Sequence, residues 1–248
     1  ISQGPVTEEF EKLIAEKIGV KYVVATTSGS MAILMALLAA KVGPGDEVII
    51  PNRTWIATAH APLLLGAKPV LVDVEEDLPI LDINRVESAI TAKTKVIIPV
   101  HLNGMSTNMR QLKNIAQKYN LIIIEDAAQS FGSSNKDGFL GTQSFAGCFS
   151  LSVAKLIATG QGGFTVTNNS DTYDNLNLMR TQGVGDLINS TFNNFGFNFR
   201  FNDILASIGI EQLIKLDDHI KIVRQIYNLY CDGLKGLDTI KLINRKLD

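Results

Sequence analysis

The sequence predicts an α/β protein whose mainly parallel sheet carries helices on each side. Three observations lead there. Short apolar runs rich in β-branched residues recur along the chain, such as Glu47-Val-Ile-Ile50, Lys95 to Val100 and Leu121-Ile-Ile-Ile124. Helical spacings separate them, as at Phe10, Leu13, Ile14 and Ile18. The runs also lack the polar alternation of a strand with one wet face, so both faces are buried.

The elements follow in order. Thr7 reads as an N-cap to a first helix that Gly19 stops. Tyr22-Val-Val-Ala25 is a short strand, and an apolar helix runs from Met31 to about Val42. Gly43-Pro-Gly-Asp46 is a turn by composition. Strands at Glu47–Ile50 and Pro69–Asp73 then flank a helix over Thr54–Leu65. A helix over Asn84–Ile90, a strand over Lys95–Val100 and a helix over Thr107–Tyr119 lead to the Leu121–Ile124 strand, which ends at Glu125-Asp126. From Ala146 the pattern shifts to short strands, Cys148–Leu151 and Phe164–Thr167, around a glycine-rich stretch. Asn168–Asn198 reads as a polar, Asn-rich segment. From Asn202 a helical pattern runs towards Leu234 with a break near Leu216-Asp217-Asp218.

Composition narrows the function classes. Lysine and arginine number 23 against 25 acidic residues, a net charge of −2, which excludes a strongly basic nucleic-acid footprint. The longest apolar stretch, Met31 to Ala40, falls short of the ~20 residues of a membrane span. Ile1-Ser2-Gln3-Gly4-Pro5 has no secretory-signal pattern. Cys148 and Cys231 form no Cys-x-x-Cys pair, so a reduced, cytoplasmic protein is expected. His60, His101 and His219 have no metal-ligand spacing, so no metal site is expected.

Ligands of open parallel sheets collect beyond the carboxyl ends of the strands, and four features fall there. Thr27-Ser28-Gly29-Ser30 stands between a strand and its helix, as a phosphate site or a plain N-cap. It lacks the further glycines of a dinucleotide fingerprint. Asp126 ends its strand, either to hold a protonated ring nitrogen or to serve as a cap or magnesium ligand. Glu125 points to the opposite face and reads as structural. Lys155 has no charged neighbour nearby in the sequence; it is a desolvated amine nucleophile or a surface lysine with a buried stem. Trp55, the single tryptophan, is a ring that stacks on a flat cofactor or fills the core. Together they match the needs of pyridoxal 5'-phosphate.

These residues, with Gly43-Pro-Gly-Asp-Glu-Val48, Thr54-Trp-Ile-Ala-Thr58, Glu125-Asp-Ala-Ala-Gln-Ser130, Ser150 with Lys155, Gly162-Gly163 and Gly196-Phe-Asn-Phe-Arg200, give the chain a resemblance to the DegT/DnrJ/EryC1/StrS sugar aminotransferases. The resemblance implies a three-layer α/β/α large domain of the type I pyridoxal-phosphate fold. It implies that Lys155 forms the Schiff base and shuttles the proton, and that Asp126 pairs with the pyridinium nitrogen. Gln129 would bond the phenolic oxygen and Trp55 would stack on the ring. Gly29, Ser30 and Ser150 would bind the phosphate, and Asn198 would reach the phosphate of a neighbouring subunit. A homodimer with a shared site follows from that last match.

The implied reaction moves an amino group from an amino acid, glutamate by resemblance, to a nucleotide-linked keto-sugar in surface-polysaccharide biosynthesis. A deoxysugar dehydratase and a catalytically silent regulator of the same family are the alternatives; the dehydratase branch replaces the lysine by histidine, whereas Lys155 is kept. Many relatives carry Thr in place of Ser30 and a His-Pro-Thr or Tyr-Pro-Thr run in place of Ser152-Val153-Ala154, which bears on the substrate subgroup. Residues 1–215 are expected to form the cofactor-binding large domain. Residues 216–248 are expected to be a long-helix remnant leading into a small C-terminal domain that is largely missing.

Overall fold

The computed structural model describes residues 3–186, 191–192, 195–240 and 242–243. Helix α1 (Pro5–Ile18) starts with proline at its first turn after Gly4 and stops at Gly19, whose φ of 69° gives the left-handed cap. Thr7 is not the N-cap. It is buried inside the helix, and its hydroxyl donates to Asp203 Oδ1 at 2.7 Å, tying the chain start to a distant helix.

Strand β1 (Tyr22–Thr26) leads into α2 (Gly29–Ala39), capped by the Ser28 hydroxyl, which accepts the Met31 N–H at 3.2 Å. Next come β2 (Glu47–Pro51), α3 (Ala57–Leu64), β3 (Lys68–Val72), α4 (Ile83–Ala89), β4 (Thr94–Ile97), α5 (Met109–Tyr119) and β5 (Ile122–Asp126). A small ribbon of β6 (Ser134–Asn135) and β7 (Gly138–Phe139) precedes β8 (Ala146–Ser150) and β9 (Gly163–Thr167). Helix α6 (Ser170–Arg180), the ribbon of β10 (Val184–Asp186) and β11 (Thr191–Phe192), α7 (Asp203–Ile214) and α8 (Leu216–Gly233) complete the order.

Seven strands form one sheet in the order β1-β9-β8-β5-β4-β2-β3. All run parallel except β9, which is antiparallel to both neighbours. On one face α2, α3 and α6 pack over Val24, Ile50, Ile98 and Ile124. On the other, α1 and α7 bury Phe10, Ile14 and Phe201 with Val23, Ala25 and Phe149, while α4 and α5 set Val86, Met109 and Leu112 against Ile49, Ile97 and Ile123. This is the expected three-layer α/β/α arrangement.

Several boundaries differ from the sequence reading. The helix expected from Thr54 begins at Ala57, because residues 52–56 turn first. The helix expected from Thr107 begins at Met109, capped by the Asn108 carboxamide at Gln111 N. The Asn-rich segment contains α6, capped by Asn169, with Leu176 and Arg180 buried. The break in the C-terminal helical pattern lies at Lys215.

Candidate active site

The carboxyl ends of the parallel strands and the start of antiparallel β9 meet on one edge of the sheet. The pairings Thr26↔Gly163, Gly163↔Ser150 and Cys148↔Asp126 align them across three neighbouring junctions. Helix α2 starts on the same edge, three residues after β1. The N–H groups of its first turn, at Gly29 and Ser30, have no intrahelical acceptor and carry the positive end of the helix dipole. Ser150 lies directly beside them: a Cβ at Gly29 would stand 2.8 Å from the Ser150 Cβ and 3.2 Å from its Oγ. Gly163 allows the approach, since a Cβ there would fall 2.5 Å from Gly29 N. Backbone donors and a hydroxyl thus share a cup that any larger residue at 29 would fill.

Asp126 closes β5. It is only 4% exposed and sits on the α2/α3 face of the sheet, in register with Ile124. Its Oδ2 accepts from the Thr58 hydroxyl at 2.7 Å and its Oδ1 from Ala128 N at 3.2 Å. Burial pushes its carboxyl above the ordinary range, against the pull of Thr58, Ala128, His101 and Lys155. Glu125 faces the other way and is wholly buried, as the alternation requires. It accepts from His101 Nε2, Gly141 N and Gln143 N, each at 2.8 Å, and from Ser144 Oγ at 2.9 Å. Burial raises its carboxyl, yet these donors outweigh burial and leave it below the usual range.

Lys155 stands in the loop between β8 and β9. That loop is cinched by Leu151 N–Gly162 O and Thr159 N–Leu151 O bonds, both 2.9 Å. The lysine is half-buried, and desolvation lowers its pKa while the Asp126 charge opposes the drop. Trp55 is 73% exposed, on the turn before α3, so it does not fill the core. Gln129 is exposed one turn after Asp126, with its Oε1 accepting Asn103 N at 3.2 Å.

The structure does not bring Asn198 into this cluster. It is exposed, and its carboxamide accepts Arg200 Nε at 3.1 Å. Its segment nevertheless runs beside the cup, through the Thr26↔Arg200 bridge and the Thr27 N–Phe199 O bond of 3.1 Å. Two residues with no role assigned from sequence join the site: Thr58, which touches Asp126, and His101, buried between Glu125 and the Asp126 backbone.

This geometry agrees with what the chain resembles. The model of the DegT/DnrJ/EryC1/StrS aminotransferase family matches residues 1–247. The chain belongs to that family. Within it, the chain is 38% identical over 236 residues to a GDP-perosamine synthase of Caulobacter vibrioides, covering 95% of this chain and 64% of that protein. Among solved structures of the family, an aminotransferase from Brucella abortus superposes with a TM-score of 0.92 at 34% identity, over 98% of this chain and 67% of the other. The PMP-form of a sugar aminotransferase, Spr1654, from Streptococcus pneumoniae gives 0.91 at 28% identity, over 95% and 65%. The chain thus spans slightly less than two thirds of the Caulobacter relative's length. Among the described residues, no helix is long and apolar enough to cross a membrane.

Proposed function

We propose that this chain carries the cofactor site of a pyridoxal-phosphate-dependent aminotransferase acting on a nucleotide-linked keto-sugar. The observation that carries the reading is the meeting, on one sheet edge, of the α2 N-terminus with Ser150, the buried Asp126 and the desolvated Lys155. The residues fit the cofactor. The cup offers donors for a phosphate, and Asp126 offers a buried negative charge suited to a protonated ring nitrogen.

When bound, pyridoxal phosphate supplies an aldehyde for the migrating amino group and an electron-withdrawing ring. The chain's own groups do the rest. Gly29, Ser30 and Ser150 bind the phosphate. Asp126 holds a proton at the ring nitrogen, Gln129 donates to the phenolic oxygen, and Trp55 covers one ring face and excludes water. Lys155, its pKa lowered by burial, provides the amine nucleophile and then the base that moves the proton at the substrate carbon.

The acceptor follows from the Caulobacter relative, which is named for GDP-perosamine. Glutamate is the donor by family resemblance, and polysaccharide biosynthesis is the setting. Residues 1–215 act as the cofactor-binding unit, and 216–248 lead out of it towards the substrate-closing part. A homodimer in the cytosol, with Asn198 reaching the neighbour's phosphate, completes the reading. It is supported by the exposed Asn198 and by the large apolar side chains Ile56, Leu63, Leu64 and Leu71 at α3 and β3, which lie open. The retained Lys155 favours transamination over dehydration.

The test is direct. Protein mixed with pyridoxal phosphate gains a visible absorbance band that borohydride bleaches, and mass spectrometry places the reduced adduct on Lys155. Lys155→Ala is expected to abolish the adduct and to lower amino transfer by at least about a thousandfold. Full transfer by that variant would refute the assignment.

A further inference from the structure

Thr58 lies in the first turns of α3 and is fully buried. Its Oγ1 has three neighbours: Asp126 Oδ2 at 2.7 Å, Thr54 Oγ1 at 2.8 Å and the Trp55 carbonyl oxygen at 3.1 Å. A hydroxyl has one proton to give and lone pairs to receive. With Asp126 ionised, the Thr58 proton belongs on the short, charge-assisted contact, and Thr54 donates to Thr58 from behind. With Asp126 protonated, the acid's own O–H donates to Thr58, whose hydroxyl turns to the Trp55 carbonyl. Both states are satisfied with no heavy atom moving.

We infer that Thr58 is a positioning residue of the site: a two-way hydroxyl that keeps Asp126 hydrogen-bonded whether its carboxyl is protonated or is the carboxylate facing the cofactor's ring nitrogen. The Thr58 backbone N–H also donates to the Trp55 carbonyl at 3.1 Å, so the ring-covering residue and the ring-nitrogen acid are both tied to one residue. This inference rests on the cofactor reading above. No other side chain of the described residues donates to Asp126 in the hydrogen bonds of the structure. Its second donor is the Ala128 backbone. The titratable groups facing it are His101 after β4, Lys155 from the β8–β9 loop, Cys148 on β8 and its chain neighbour Glu125. Of these, His101 is engaged with Glu125 through Nε2.

The experiment compares the unaltered protein with Thr58→Val, which keeps the shape and removes the hydroxyl, Thr58→Ser, which restores it, and Thr58→Ala. Two readouts are independent of turnover. The first is pyridoxal-phosphate affinity from an absorbance titration. Thr58→Val and Thr58→Ala are expected to weaken it about tenfold or more, the loss of a hydrogen bond to a charged group, with Thr58→Ser within about threefold. The second is the melting temperature of cofactor-free protein as pH is raised from the ordinary carboxylate value of about 4. Asp126, its carboxyl raised by burial, ionises as pH climbs, and the charged form misses the donor more than the neutral form does. The deficit of Thr58→Val should therefore widen with pH, while Thr58→Ser runs parallel to the unaltered protein. Valine and alanine variants that match the unaltered protein in both readouts would overturn the inference. If Thr58→Val does not fold, the alanine and serine variants carry the comparison. Unaltered protein that takes up no pyridoxal phosphate overturns the cofactor reading itself, and this inference with it.

Discussion

At the scale of single residues, two adjacent carboxylates do opposite work because the strand alternates. Asp126 faces α3 with few donors, and burial raises its carboxyl; Glu125 faces away with four donors that hold it low. A carboxylate held low stabilises the fold above its unfolded value of about 4.3, and that contribution is lost as pH falls through the folded value. Glu125→Gln cannot accept four donors and is expected to lose about 3 kcal/mol at pH 7. The gap should narrow as pH falls below about 4.3 towards the lowered folded value, because the unfolded chain of the unaltered protein takes up the proton first. Urea unfolding at pH 7 and pH 3.5 checks this, and an unchanged gap would count against the assignment. Asp126, Lys155 and the opposite facing of Glu125 were legible because chain position and alternation fix them. The partnerships of Thr58 with Asp126 and of His101 with Glu125 were not, since each joins residues far apart in sequence through a single contact.

At the scale of elements, one helix pairing shows how little slack the layers hold. Helices α1 and α7 cross where Gly209 meets Phe10, and a Cβ at Gly209 would stand 2.5 Å from the Phe10 ring. Alanine in an exposed helix would add about 1 kcal/mol over glycine, but overpacking against a fully buried ring costs about 1–3 kcal/mol. Gly209→Ala is therefore expected to destabilise the fold on balance. Adding Phe10→Leu should recover part of the loss in a double-mutant cycle by chemical denaturation, and simple additivity of the two losses would contradict the steric cause. Helix α6 escaped the sequence reading because its polar, Asn-rich face masks the few positions that pack, Tyr173, Leu176 and Met179. The direction of β9 was equally hidden: a strand buried on both faces reads the same either way.

At the scale of the whole molecule, the layered architecture was legible because buried runs and helical spacings alternate with few exceptions. The exposed surface adds what the alternation does not. Leu63 and Leu64 on α3 and Leu71 on the edge strand β3 are large apolar side chains left open to water. If the proposed homodimer joins through these side chains, Leu64→Asp with Leu71→Asp is expected to shift it to monomer in sedimentation velocity, with the circular-dichroism spectrum unchanged. A variant that remains dimeric would place the subunit contact elsewhere.

The reversed strand has a mechanical consequence. Because β9 turns back beside β8, the loop bearing Lys155 is anchored at both feet on the same sheet edge, by Ser150↔Gly163 and the Leu151–Gly162 bond. A crossover to a parallel neighbour would have to run back to the far end of the sheet before starting its strand. This arch, residues 151–162, leaves and rejoins the sheet on the edge that carries Asp126. Lengthening the Gly43–Asp46 turn would be absorbed at the far side of the sheet, whereas one residue added between Ser152 and Gly160 would displace the amine relative to Asp126. The arch therefore acts as a ruler, and its length is under tighter constraint than most of its side chains.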